Sequence, residues 1–140
     1  MAEYQFKRFH QVNLMEQVIG IGGIFFSARD PKALAEWYRT NLGIESQDGH
    51  TDFTWQLEEW PNQSGRTVWS LFDADTDYFG ESRPAFMVNY VVRNLERMLE
   101  QLRKNGIKVE KVEACDYGHF AWITDPEGNR IELWEPKAEG

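Results

Sequence analysis

The sequence of 140 residues has one cysteine, Cys115. A disulfide framework is therefore excluded, and so is a cysteine-rich metal site. Cys115 sits beside Asp116 with no histidine in a recognisable pairing. It reads as an inert thiol, because reactive thiols need a specific low-pKa environment. Positive charge is scarce as well: 15 Lys and Arg stand against 23 Asp and Glu, a formal net charge of −8. Nucleic-acid backbones and anionic membranes want the opposite balance. No stretch approaches the ~20 apolar residues of a membrane-spanning helix. The first 17 residues carry Glu3, Lys7, Arg8 and Glu16 and no continuous apolar run, which is not a signal-peptide pattern. The expectation is a cytoplasmic protein with neither nucleic acid nor membrane as a partner. The three histidines, His10, His50 and His119, have no metal-motif spacing.

Rings, in contrast, are abundant: six Trp, nine Phe and five Tyr. They fill cores, and they also line pockets for planar ligands. The length suffices for one compact domain with a real core.

The chain repeats itself at a spacing of about 63 residues, and repeats fix architecture before anything else. In the first copy an apolar run, Ile19 to Ala28, precedes Asp30-Pro31, an N-cap with Pro at the first helical position. Leu34, Trp37, Tyr38 and Leu42 follow at helical spacing, and Gly43 is the stop. In the second copy a strand-like run, Phe86 to Val92, precedes the N-cap Asn94. Leu95, Met98, Leu99 and Leu102 form the apolar stripe, and Gly106 is the stop. Glu96, Arg97, Glu100, Arg103 and Lys104 read as its solvated face.

Strands follow each helix: Phe53 to Glu58 and Thr67 to Phe72 around the turn Pro61–Gly65, then Ile107 to Val112, Phe120 to Thr124 and Arg130 to Trp134. Asp125-Pro-Glu-Gly-Asn129 is a strong hairpin turn. Each copy reads β-α-β-β-β, and one sheet face must find a partner besides its helix. The first module spans 18–72 and the second 86–137. The linker 73–85 holds Asp73, Asp75 and Asp77, but Tyr78 and Pro84 stand where an EF-hand loop needs Gly and Glu. It reads as an acidic, solvated linker. The N-terminal extension 1–17 carries Tyr4, Phe6, Phe9 and Leu14, which suit packing on the body or on a partner.

These segments resemble the vicinal oxygen chelate superfamily of glyoxalases, bleomycin-resistance proteins and extradiol dioxygenases. The resemblance rests on Gly23 through Pro31, Trp37-Tyr38 to Leu42-Gly43, Val92 to Leu95 and above all Asp125-Pro-Glu-Gly-Asn-Arg-Ile-Glu-Leu-Trp134. It implies an α+β fold in which two βαβββ modules form a half-open eight-stranded barrel, a single domain over 18–137, and a homodimer. It also implies a divalent metal held by the first and last strand of each module. Those positions fall on Gly23, Met87, Ser70 and Glu132, of which only Glu132 suits a hard ion. No cofactor is expected, and a divalent metal is disfavoured.

Period-two alternation places the ligand-binding candidates on the face opposite the helices. They are Phe25 and Ser27 beside Gly23, Ser70 and Phe72 beside Val68, Met87 and Asn89 beside Val91, and Arg130, Glu132 and Trp134. Ile131 and Leu133 are then left to face a helix. Glu132 has three readings: a structural partner of Arg130 or Asn89, a general base, or an anchor for a cationic or hydroxyl-bearing ligand. The favoured function is small-molecule binding through an aromatic-lined pocket. The alternative is a lyase, isomerase or dioxygenase-type enzyme of a small carbonyl or hydroxylated compound, with Glu132 as base or metal ligand and Arg130 or Asn89 steadying an enolate-like oxygen.

Overall fold

The computed structural model describes residues 21, 23–56, 64–78 and 87–137. The extension 1–17, linker residues 79–85 and turn residues 61–63 lie outside them. The element order is β1 (Gly23–Ala28), α1 (Pro31–Leu42), β2 (His50–Gln56), β3 (Ser64–Asp73), β4 (Val88–Val91), α2 (Leu95–Lys104), β5 (Lys111–Cys115), β6 (Gly118–Thr124) and β7 (Arg130–Pro136).

Both helices start where the sequence signals them. The Asp30 carboxylate accepts the Ala33 N–H at 3.1 Å, and the Asn94 side chain accepts the Arg97 N–H at 3.0 Å. A second carboxylate reaches each N-terminus from the end of the chain. Glu127 accepts the backbone N–H groups of Arg29 and Asp30, both at 2.9 Å, and Glu135 accepts the Leu95 N–H at 2.8 Å. Orphan helix donors are thus satisfied by side chains rather than left to water. Gly43 at φ +69° closes α1.

The strands form a three-stranded sheet, β1-β3-β2, and a four-stranded one, β4-β7-β6-β5. In the second, β4 runs parallel to β7 and the other neighbours are antiparallel. Seven strands are described. In the first copy the segment after Gly43 contributes only an isolated bridge at Gln47. Asp48 (φ +55°) and Gly49 (φ +77°) turn the chain there, before a strand can extend. In the second copy the corresponding strand begins later than the expected Ile107. The Ile107 N–H still bonds Leu102 O at 2.9 Å, so that residue belongs to the helix end, and β5 starts at Lys111.

Two compact units divide the chain, and they do not follow the sequence repeat. One includes β2, β3 as far as Ser70 and β1 as far as Phe25; the other holds 26–49 and 71 onward. In the first unit Trp69 is fully buried, and Gly65 makes room for the Trp55 ring opposite it, which an added Cβ would meet at 2.4 Å. In the second, α2 packs on β6 and β7, and α1 meets α2. Leu34, Tyr38, Leu95, Leu99, Leu102, Ala121, Ile123, Ile131 and Leu133 are its buried core. A fully buried aliphatic side chain contributes roughly 2 kcal/mol. The helix junction is polar but satisfied: Asn41 takes hydrogen bonds from Gln101 and Asn105.

The turn Asp125–Asn129 is a second anchor point. Asp125 is 4 % exposed. Its carboxylate accepts from the N–H groups of Glu127 and Asn129, the Asn129 amide and the Tyr38 hydroxyl, the last at 2.7 Å. Burial, then neighbouring Tyr90 and Asp125, push the Tyr38 phenol far above its ordinary range, so it stays protonated and donates.

Glu127 yields a pH prediction. The N–H groups of Arg29 and Asp30 hold its carboxyl below the ordinary value of 4.5. A depressed folded value means that the charged form supports the native state. That contribution is present above pH 4.5 and disappears as the pH falls through the lower folded value. Glu127→Gln should therefore lower the melting temperature at pH 7, and the gap to the parent should narrow as the pH falls below 4.5. Thermal melts from pH 7 to 3 check this; a gap unchanged down to pH 3 would refute it.

Candidate functional site

The face of the four-stranded sheet turned away from the helices carries the candidate site. Antiparallel and parallel registers line up Asn89, Glu132, Trp122 and Lys111 in one cross-strand row. The next row holds Val91, Trp134, Phe120 and Glu113. Alternation explains the segregation: Ala121, Ile123, Ile131 and Leu133, the odd partners, are at most 1 % exposed, whereas Phe120, Trp122, Glu132 and Trp134 are half-buried.

Glu132 is gripped from both flanking strands. Asn89 Nδ2 donates to Oε2 at 2.7 Å and Trp122 Nε1 donates to Oε1 at 3.1 Å. Of the two structural partners expected from sequence, Asn89 is present and Arg130 is not. Arg130 Nε instead lies 3.5 Å from Glu110 Oε1. Thr124 also donates its hydroxyl to Glu110. Glu110 is brought there by a β-bulge: its N–H bonds Trp122 O at 2.9 Å although Lys111 is the registered partner of Trp122.

The rings are nearly parallel. Phe120 and Trp134 have centroids 5.9 Å apart and planes 8° apart; Phe120 and Trp122 are at 6.2 Å and 16°. Trp134 is fixed by its Nε1–H, which donates to Tyr117 O at 2.9 Å. Lys111 and Arg130 lie over the Trp122 ring at 5.3 and 5.7 Å, within cation–π range.

The structure therefore brings together Asn89, Arg130, Glu132 and Trp134, with Met87 exposed one residue before β4. Phe25 and Ser70 belong to the other compact unit. There Ser70 is buried and its Oγ is 3.1 Å from His50 Nδ1. Ser27 is exposed on β1. Phe72 stacks on Tyr78 at 5.3 Å. Sequence reasoning missed Trp122, Phe120, Lys111 and His50. The signal for the first two was present: the turn 125–129 pairs Thr124 with Arg130, so counting two outward sets Trp122 opposite Glu132.

The sequence matches the glyoxalase-like domain over residues 23–134. The chain belongs to that family. This glyoxalase-like domain also shares its fold with solved structures. One is a glyoxylase/bleomycin resistance protein/dioxygenase domain from Frankia sp. EAN1pec, 18 % identical with a TM-score of 0.55, covering 86 % of this chain and 100 % of the other. An antibiotic binding protein from Streptomyces sp. CB03234, TnmS3, is 15 % identical with a TM-score of 0.58, covering 88 % and 100 %. A lactoylglutathione lyase from Agrobacterium tumefaciens is 18 % identical with a TM-score of 0.54, covering 86 % and 96 %. A comparison with curated proteins gives no match.

The divalent metal implied by the superfamily does not fit the residues at its expected positions. Gly23 has no side chain, and an added Cβ would meet the Phe25 ring at 2.6 Å. Met87 offers a soft thioether. Ser70 is engaged by His50, and Glu132 by two N–H donors. Among the described residues no three His, Cys, Asp or Glu gather where they could hold an ion.

Proposed function

We propose that this glyoxalase-like domain binds a planar small molecule on the face of its four-stranded sheet turned away from the helices, with Glu132 as the polar anchor. The observation that carries this is the placement of a carboxylate, held by two neutral donors, beside the near-parallel Phe120 and Trp134 rings. Small-molecule sites combine such apolar walls with few fixed polar points. The rings supply area and orientation, and the acid supplies selectivity.

A thermal-shift screen of planar aromatic compounds tests it. A ligand that binds only the folded chain stabilises it by about 2.7 kcal/mol at a concentration 100 times its Kd. Hits should lose at least tenfold in affinity in Glu132→Ala and in Trp134→Ala, while both variants still melt cooperatively. Hits indifferent to both changes would place binding elsewhere. Turnover of a hit that stops in Glu132→Ala would replace sequestration by the lyase-type reading.

A further inference from the structure

Resting on the binding role proposed above, the geometry points to a ligand class: a planar ring bearing an amidine-type pair of N–H donors, received side by side by the two oxygens of Glu132.

Two cations share the face with Glu132 and neither neutralises it. Arg130 is two residues along the same strand, and Lys111 stands beyond Trp122 in the same cross-strand row. Each has a carboxylate of its own. Arg130 Nε is 3.5 Å from Glu110, and Lys111 Nζ is 3.6 Å from Glu113. The bulge and the Thr124 hydroxyl hold Glu110 in that role. Among the described residues Glu132 thus has no cationic partner; its bonds come from Asn89 and Trp122, one per oxygen.

An ionised carboxylate has about four lone-pair sites. One neutral donor per oxygen, each from a different flanking strand, leaves both oxygens with acceptor capacity. Parallel N–H donors of an amidine, guanidine or 2-aminoazine satisfy both at once, the fork geometry that Arg uses on carboxylates. A single ammonium meets the same charge without that two-point fit. The Trp134 and Phe120 row begins two residues further along the strands, about 7 Å away, which a one- or two-ring arene attached to the donor pair can span.

The test uses the full-length chain, isothermal titration and ligand-observed NMR, with benzamidine, benzylamine, benzamide, 2-aminoquinoline and quinoline. Benzamidine should bind at least tenfold tighter than benzamide and also tighter than benzylamine; 2-aminoquinoline should exceed quinoline similarly. Glu132→Gln should bring benzamidine down to the level of benzamide and weaken quinoline less than it weakens benzamidine. Glu110→Gln should weaken benzamidine severalfold, because it releases Arg130 toward Glu132, and leave quinoline unchanged. Equal affinity for benzamidine and benzamide, or a preference that survives Glu132→Gln, would overturn the ligand class and leave the aromatic face intact as a binding site. Failure of every arene to bind the folded protein would overturn both.

Discussion

Gly118→Ala is expected to destabilise the protein by about 3 kcal/mol or more, from backbone strain and steric clash together. Gly118 sits at φ +129°, where L side chains are strained. Space is the larger obstacle: an added Cβ would lie 2.2 Å from Glu135 O and 2.9 Å from Lys137 N, both backbone atoms. The hairpin of β5 and β6 would have to separate from the end of β7. Tyr117 O would then lose the Trp134 indole and the Lys137 N–H, which it accepts at 2.9 and 3.3 Å. Ligand binding should fall with stability, since Trp134 loses its fixed orientation. Gly43→Ala is the control. Its φ of +69° is also left-handed, but nothing lies within 4 Å of the added Cβ, so it should cost only about 1 kcal/mol. Chemical denaturation of the two variants checks the contrast; equal losses would show that conformation, not space, governs Gly118.

Tyr38→Ala should cost about 3–5 kcal/mol, the range for removing a buried ring. Tyr38 is 1 % exposed, with Trp37, Phe26 and Tyr90 rings within 6.3 Å. Tyr38→Phe should cost only about 1–2 kcal/mol, a single buried hydrogen bond, because Asp125 keeps its three other donors. In a domain of this size about 1 kcal/mol moves Tm by roughly 4 °C, so calorimetry separates the pair. A Phe variant as unstable as the Ala variant would mean that the hydroxyl, not the ring, holds α1 to the turn.

Helix limits were legible in the sequence because caps are local chemistry. Asp30, Asn94 and Gly43 act within a few residues of themselves. The hairpin of β6 and β7 was legible for the same reason, through the turn at 125–129. Strand starts were not. Residues 107–112 alternate like a strand, yet the helix end claims Ile107 and the Glu110 bulge delays pairing. Seven strands are described where the duplicated pattern suggested eight, because Asp48 and Gly49 bend the first copy early.

The candidate site divides in the same way. Period-two counting placed Glu132, Arg130, Trp134 and Asn89 on one face. It could not decide which acid each cation would choose, since Glu110, Glu113 and Glu132 all stand within a strand or two. That choice depends on the bulge and on cross-strand register. Nor could it show that Trp122 would spend its N–H on Glu132. The second copy's signature turn, Asp125 to Asn129, is fully engaged in holding Tyr38 and the β1–α1 junction. Its presence announces architecture and is silent on chemistry.

Buried positions 121, 123, 131 and 133 alternate along the same two strands with 120, 122, 132 and 134. Folding therefore draws chiefly on one set of side chains and recognition on the other. A lineage could exchange rings and charges at the second set while leaving the interior untouched. New specificities would then arise by few substitutions, each nearly neutral for stability, from a scaffold that already tolerates them.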